Sequence, residues 1–463
     1  MRHRFSARLL LTPFVLIPFA LPSIAQDSQP WRLIESTDNT RVVFTHQLRA
    51  ENLDGQFRAG RLGSSDQVLL SRTTVTGEYR HESTSVVIEA LDARQALADS
   101  GSSLTSKVVN TANLQQLYAT AKFSDFLQGT STLDLKLGRQ TVDLGSRRVI
   151  ARSTFSTVPT SFDGLHSALT LEDGSRLQLF YLQPVPGIPN NLNDLLANRT
   201  VRDRRSDAIE LWGAFSELPA VTEWLRGDFY YIRLNEKDTR NQAGTNRQLN
   251  HYGVRLFHPA AAQQVDFDVE TVLQKGSSHA TAASTDVRAL DHDAYFLHAE
   301  LGYSFAAPWN PRVQALFDYA SGDENPLDGS MERIGDVYGE RRFDFGPTSL
   351  YGPFARSNLV SAGYRINATP AAGMRLMIAH RDYRLAESRD TWSGTGLRDS
   401  RGSSGRGLGQ QLEARLQWDV VPGNLTLEGG FAWVNWSDFA ERVGGANMAS
   451  QTHYAYLQSQ LTF

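Results

Sequence analysis

From Arg41 to Phe463, apolar and polar residues exchange places at every second position, in segments of roughly ten residues each. Val265, Phe267, Val269 and Leu273 alternate with Asp266, Asp268 and Glu270; Tyr295, Leu297, Leu301, Tyr303 and Phe305 alternate with His298 and Glu300. Leu408, Leu412, Leu416, Trp418 and Val420 alternate in the same way with Glu413, Arg415 and Asp419. A period of two is that of a β-strand whose faces meet different surroundings, and no long stretch carries the helical period instead. The pattern predicts eighteen strands, at 41–56, 67–80, 84–94, 113–123, 131–142, 163–171, 175–185, 207–217, 225–235, 249–258, 263–274, 293–305, 311–321, 357–368, 372–385, 408–420, 424–436 and 452–463.

The connections sharpen this. Short ones such as His81-Glu82-Ser83, Glu172-Asp173-Gly174 and Val421-Pro422-Gly423 take turns with long ones at 95–112, 186–206, 322–356 and 386–407. Short periplasmic turns alternating with long extracellular loops are the habit of an outer-membrane barrel, and a soluble sandwich has no reason to keep it. The predicted fold is therefore all-β: a transmembrane, antiparallel, up-and-down β-barrel of about eighteen strands. The last stretch, Thr452 to Phe463, is itself two-faced and ends on an aromatic residue. In a bilayer its free edge has no water to satisfy it, so it must pair with the first strand and close a ring. Its closing Phe is similar to the C-terminal signal read by the barrel assembly machinery.

Residues 1–25 read as a signal peptide, with Arg2, Arg4 and Arg8 before an apolar run from Leu9 to Leu21 and then Ser23-Ile24-Ala25. A short periplasmic segment, 26–40, and the barrel, 41–463, would follow. Beyond the leader no window holds the eighteen apolar residues of a spanning helix, and mean hydropathy is −0.36. The chain has no cysteine, so no disulfide stiffens it. Its formal charge of −4 becomes −7 without the three leader arginines. There is no global basic excess, so no nucleic-acid partner is expected and any anion site must come from local placement. Five of the 46 basic residues are lysine (Lys107, Lys122, Lys136, Lys237 and Lys275), which leaves 41 arginines.

Strand parity sends Arg72, Arg80, Arg255, Arg312, Arg365, Arg375 and Arg415 inward, along with Glu78, Glu210, Asp266, Asp268, Glu270, Glu300, Asp318, Glu413 and Glu428. Charge on the lipid face costs about 2–4 kcal/mol at mid-bilayer for Arg or Lys, which predicts a polar, wet lumen. Most of these charges should neutralise one another across the wall, and arginines left over would form an anion-selective path. Trp418, Trp433, Trp436, Tyr364 and Tyr383 stand where aromatic girdles belong. The 322–356 loop is long enough to fold inward as a constriction, and the Gly/Ser-rich 386–407 loop reads as mobile. Asp323-Glu324-Asn325 and Asp328-Gly329 lack the full spacing of a calcium loop and read as an acidic turn. No catalytic motif, metal site or cofactor motif is found. The remaining enzyme reading is a lipid-acting barrel with a Ser-His pair built on His251 or His298.

The densest basic cluster, Arg139, Arg147, Arg148 and Arg152, lies between Leu135 and Leu165. Within that stretch Gly138-Arg139-Gln140, Gly145-Ser146-Arg147-Arg148 and Ser161-Phe162-Asp163-Gly164 resemble the signature of the alginate export family of outer-membrane proteins. Ala320-Ser321-Gly322-Asp323, followed by Asn325-Pro326 and Asp328-Gly329, is similar to that family's loop after a late strand. The resemblance implies a monomeric eighteen-stranded barrel in outer-membrane lipid whose arginine-rich lumen passes a polyuronate outward, with no covalent step and no cofactor, and with a periplasmic secretion partner. Arg139, Arg148 and Arg152 would join the polyanion path beside Arg72, Arg80, Arg255, Arg365 and Arg415. The family's Trp-Ser-Asn is replaced here by Phe155-Ser156-Thr157. A second reading is an uptake porin for small anionic or aromatic solutes. On the first reading, exchanging Arg148 and Arg152 together for Glu would move the channel towards cations.

Overall fold

The computed structural model describes residues 31–34, 37–127, 130–239 and 243–463. The proposed leader lies outside them. Eighteen strands build the wall: β1 (Thr40–Asp54), β2 (Asp66–His81), β3 (Thr84–Ala96), β4 (Asn110–Ser124), β5 (Thr132–Gln140), β6 (Ser161–Thr170), β7 (Arg176–Val185), β8 (Ile209–Thr222) and β9 (Leu225–Glu236). The second half comprises β10 (Gln248–His258), β11 (Val265–Ser278), β12 (Leu290–Ser304), β13 (Arg312–Ala320), β14 (Leu359–Ala368), β15 (Met374–Arg384), β16 (Gly407–Val421), β17 (Leu425–Trp436) and β18 (Gln451–Thr462). Each pairs antiparallel with its neighbours in the chain. The ring closes where β1 meets β18, from Thr45 opposite Thr462 to Asp54 opposite His453.

Leu48, Val75, Ile88, Leu117, Leu137, Leu165, Leu179 and Leu457 are exposed along the outer wall, and the alternate positions face in. Among the described residues every strand of the ring is paired on both sides, as a bilayer requires. Strand ends differ from the predicted ones by a few residues. β8 carries on past Pro219 to Thr222 through an irregular register opposite β9, because a proline without a donor is tolerated where the ladder is already broken.

The interior departs from the expected wet tube in its extracellular half. There the connections at 55–65, 141–160, 321–358, 385–406 and 437–450 fold inward over the upper ends of the strands. Phe57, Tyr351, Phe354, Trp392, Trp436 and Phe439 are each at most 3% exposed. Phe354 and Tyr383 stack with centroids 3.5 Å apart, and the Trp392 and Trp436 rings lie 5.2 Å apart. Tyr383 and Trp436 are thus not girdle residues, because their parity turns them onto this plug. Tyr454 and Tyr456 of β18 likewise face packed loop rather than water. The 386–407 connection is not loose either. Thr391–Trp392 pairs with Leu397–Arg398 in a small hairpin, and the Trp392 indole N–H donates to Pro353 O at 2.8 Å. One buried tryptophan outweighs a Gly/Ser-rich composition. The periplasmic half keeps a polar, partly exposed lining, with Glu78, Lys122, Lys136, Arg176, Glu217, Arg415 and Glu428.

Candidate anion path in the barrel lumen

The β5–β6 connection, 141–160, crosses the barrel. Gly145 and Arg147 adopt left-handed backbone (φ 44° and 68°), which turns the chain off the wall, and a Cβ at Gly145 would strike Phe215 and Asp228. Arg148 is carried to the far side and is 7% exposed. Its guanidinium reaches Asp344 at 3.1 Å, Glu270 at 3.0 Å and Asp268 at 3.3 Å, and donates to His298 Nε2 at 2.8 Å. Burial works against its charge, but Asp344, Glu270 and Asp268 hold it well above the ordinary arginine value. Burial alone would raise the Asp344 carboxyl; Arg148 and Arg356 instead hold it well below the usual carboxylate range.

Asp344 sits in a single helical turn, Arg342–Phe345, within the 321–358 connection. This second loop zips to the first. Tyr338 N–H donates to Val149 O at 2.9 Å, Ala151 N–H to Tyr338 O at 3.1 Å and Glu340 N–H to Arg147 O at 2.9 Å. Arginines then fasten both loops. Arg49 donates to Phe155 O at 2.7 Å, Arg381 to Asp344 O at 2.9 Å and Arg365 to Phe343 O. Arg342 pairs with Glu413 and donates to Tyr456 Oη at 3.0 Å, and Arg356 donates to Glu340 O at 2.7 Å. His298, Asp318 and Asp344 are close enough to ligate a metal. Their donor atoms are occupied by Arg148, Arg381 and Arg356, and three cations at that spot repel another.

The residues marked from the sequence fall into three groups. Arg148, Arg152, Arg255 and Arg365 face the interior and are engaged. Arg152 bonds Glu89 at 2.6 Å, Arg255 bonds Asp268 at 2.9 Å and Asp228 at 3.0 Å, and Arg365 stands 3.9 Å from Glu300. Arg80, at the periplasmic rim, is largely exposed and pairs with Glu78 at 2.7 Å. Arg139 is a correction. It lies opposite Leu117 and two positions beyond Leu137, both exposed on the outer wall, so it faces outward and pairs with Asp163 at 2.8 Å. The family resemblance places it on the path; the parity of β5 and its register with β4 place it outside. Glu210 also turns outward, beside exposed Trp212, and accepts from Tyr181 Oη at 2.9 Å and Asn235 Nδ2 at 3.0 Å.

Arg72 and Arg415 form the third group. Both face inward, and neither makes an ion pair or hydrogen bond among the described residues. The Nε of Arg72 is buried without a partner, as is Nη2 of neighbouring Arg49. The charged groups around Arg72 are Arg49, Arg152 and Glu89. Lys136 lies on the same side of the lumen, its ammonium 4.5 Å above the Tyr118 ring. Arg152 and Arg147 keep 30% and 31% of their side chains exposed there. Arg49 and Arg381 share the parity of residues already marked, so their inward position was readable. Arg342 and Arg356 lie on an irregular loop and carry no such signal.

Of the two histidines considered for catalysis, His298 Nδ1–H donates to Asp318 at 2.8 Å, and His251 is held by Ile232 O at 3.1 Å and Gln274 at 2.6 Å. Neither meets a serine hydroxyl among the described residues. The two sequence signatures have structural reasons. Gly138-Arg139-Gln140 pairs in register with Gly164-Asp163-Phe162 across β5 and β6. Ser321, at the mouth of the long loop, donates to Glu332 O at 2.6 Å and accepts from Tyr295 N–H at 3.0 Å, while Asp323 N–H donates to Asp390 at 2.9 Å.

The fold is shared with solved proteins of Pseudomonas aeruginosa. OpdQ is 14% identical with a TM-score of 0.56, over 92% of this chain and 97% of that one. OpdK, described as an outer membrane protein, is 13% identical with a TM-score of 0.56, over 91% and 99%. OccK5 (OpdH) is 13% identical with a TM-score of 0.55, over 92% and 98%. No curated protein matches the chain. Residues 39–451, nearly the whole barrel, match the alginate export family, and the chain belongs to that family as a porin-like channel of the outer membrane.

Proposed function

We propose that this barrel passes an anionic saccharide, of which a polyuronate such as alginate is the type, through its lumen by diffusion and without covalent chemistry. The observation that supports it is an inward guanidinium with no ion pair or hydrogen bond among the described residues. Arg72 bonds no carboxylate, its Nε lacks an acceptor, and of the groups beside it two are cations, Arg49 and Arg152, and one is an acid, Glu89, which is bonded to Arg152. A carboxylate arriving from the periplasmic side meets donors already in place, and charge-assisted bonds of this kind are the stronger ones. Arg415 offers a second such group on β16, and Lys136 a third on β5. Spaced sites that each hold an anion weakly let it move on. The acid-paired arginines have a different task, holding the two inward loops over the upper lumen. Passage requires those loops to yield.

The test is block of single-channel current in a planar bilayer by an oligouronate, against a neutral oligosaccharide of equal length. Block by the uronate alone, relieved in Arg72→Gln, supports the reading. Equal block by both sugars, or block unaltered in Arg72→Gln, refutes it.

A further inference from the structure

On the outer wall, five strands carry a built arrangement that the transport reading leaves unused. The register sets Trp212 of β8, Arg233 of β9, Asn250 of β10, Lys275 of β11 and Asp293 of β12 side by side in one row. β9 ends three residues above this row, at Glu236, and leads into a long connection, so the row belongs to the extracellular rim. The row directly beneath is Ala214, Tyr231, Tyr252, Leu273 and Tyr295, and the next is Ser216, Phe229, Val254, Thr271 and Leu297. The small side chains of Ala214 and Ser216, beside the rings of Tyr231 and Phe229, leave an apolar hollow of about 420 Å3 on the lipid face. The rings above it are where the bilayer interface lies.

Arg233 is the unusual member. No carboxylate pairs with it among the described residues. Its three donor nitrogens rest on neutral amide oxygens: Asn235 at 2.7 Å, Asn250 at 3.0 Å and Gln248 at 3.1 Å. The nearby acid on β8, Glu210, is held by Tyr181 and Asn235. Lys275 stands two strands away, roughly 10 Å across the sheet. Its bond to Asp293, 2.8 Å long, is between two exposed side chains and is easily exchanged. Two cations thus stand roughly 7 Å above an open hydrocarbon groove, one pleat repeat higher on the same face.

We infer that this face of β8–β12 binds a phosphorylated, multiply acylated lipid of the outer leaflet, of the lipid A type, with an acyl chain in the hollow and phosphates on Arg233 and Lys275. Guanidinium and ammonium over a chain-sized groove match a phosphate joined to hydrocarbon, whereas a free phosphate makes no use of the groove. The extracellular position selects the outer leaflet. Such a lipid would brace the wall beside which Asp268, Glu270 and His298 grip Arg148.

The experiment uses the full chain in non-ionic detergent and native mass spectrometry with three probes: bis-phosphorylated hexa-acyl lipid A, its dephosphorylated counterpart and phosphatidylglycerol. The intact protein should prefer the bis-phosphorylated probe over each of the other two by about tenfold or more. Arg233→Gln with Lys275→Gln should erase the preference over dephosphorylated lipid A, and Ala214→Trp should weaken both forms. Ser216→Leu is a second way to fill the hollow, and heat-modifiable gel mobility confirms that each variant is a closed barrel. Equal binding of phosphatidylglycerol and bis-phosphorylated lipid A overturns the inference, as does a phosphate preference that survives the double substitution.

Discussion

Arg148→Met removes the one cation that faces three carboxylates across the lumen while keeping much of its aliphatic bulk. The consequences differ among the partners. Asp344 retains Arg356, and Asp268 retains Arg255. Among the described residues Glu270 then keeps one side-chain hydrogen bond, from the Tyr230 hydroxyl at 2.8 Å. It is almost fully buried, so an uncompensated charge remains in a dry place. Breaking a buried pair in this way costs about 3–5 kcal/mol. Spent on loop docking alone, that raises the undocked population by roughly two to three and a half orders of magnitude. The readouts are single-channel conductance and hydrogen exchange at 338–345, the segment zipped to the first loop. Conductance should rise and exchange should quicken, and adding Glu270→Gln should recover most of the docking. If Arg148→Met leaves both readouts at their wild-type values, the inward loops are not held by this network and the reasoning fails. The result also revises what Arg148→Glu would do. A fourth buried carboxylate in that nest would expel the loop, so any altered selectivity would report loop position and not a lost cation on the path.

Two further outcomes follow from the same contacts. Gly339→Val places a side chain against the Arg148 carbonyl, so it should part the two loops by overpacking, at about 1–3 kcal/mol, with no charge altered; faster exchange at 147–151 with an unmoved reversal potential is expected, and unchanged exchange would count against the zipped loops. Asp323, in the long loop, has its carboxyl pushed up to about 7 by burial and by the nearby Asp390 and Glu332. Free of the docked loop it would ionise near the ordinary carboxylate value, so the contribution of Asp323 to docking is greatest below about pH 4, falls as pH rises and levels off above about 7. Asp323→Asn should flatten that profile in hydrogen exchange at 321–335, and a profile identical to wild type would disprove the assignment.

The wall was readable because its cause is local and repetitive. Each strand has lipid on one side, which penalises charge, and a period of two records that penalty at every position. The eighteen segments and the turn-loop alternation follow from it. What the pattern could not carry was how the loops use the interior. Tyr454 and Tyr456 read as a water-facing row, since nothing in a strand says that a distant loop will cover it. Trp392 sits among glycines and serines, and only its three-dimensional partners Phe57 and Trp436 make it a plug. The arginines divide the same way. Inward parity found Arg72 and Arg415, but whether a guanidinium is free or bound depends on acids brought from elsewhere. Arg148 meets Asp344 across 196 positions of sequence. Arg139 shows the limit of resemblance, since the motif placed it on the path while its parity with exposed Leu137 places it on the outer wall.

The account rests on Arg72 and Arg415 as unneutralised cations facing the lumen, and the reversal potential across a salt gradient tests it most directly. The wild-type channel should be anion-selective, and Arg72→Glu with Arg415→Glu should carry the reversal potential to the cation side, with the closed barrel intact by gel mobility. A cation-selective wild type, or a double variant whose reversal potential stays where it was, would contradict it.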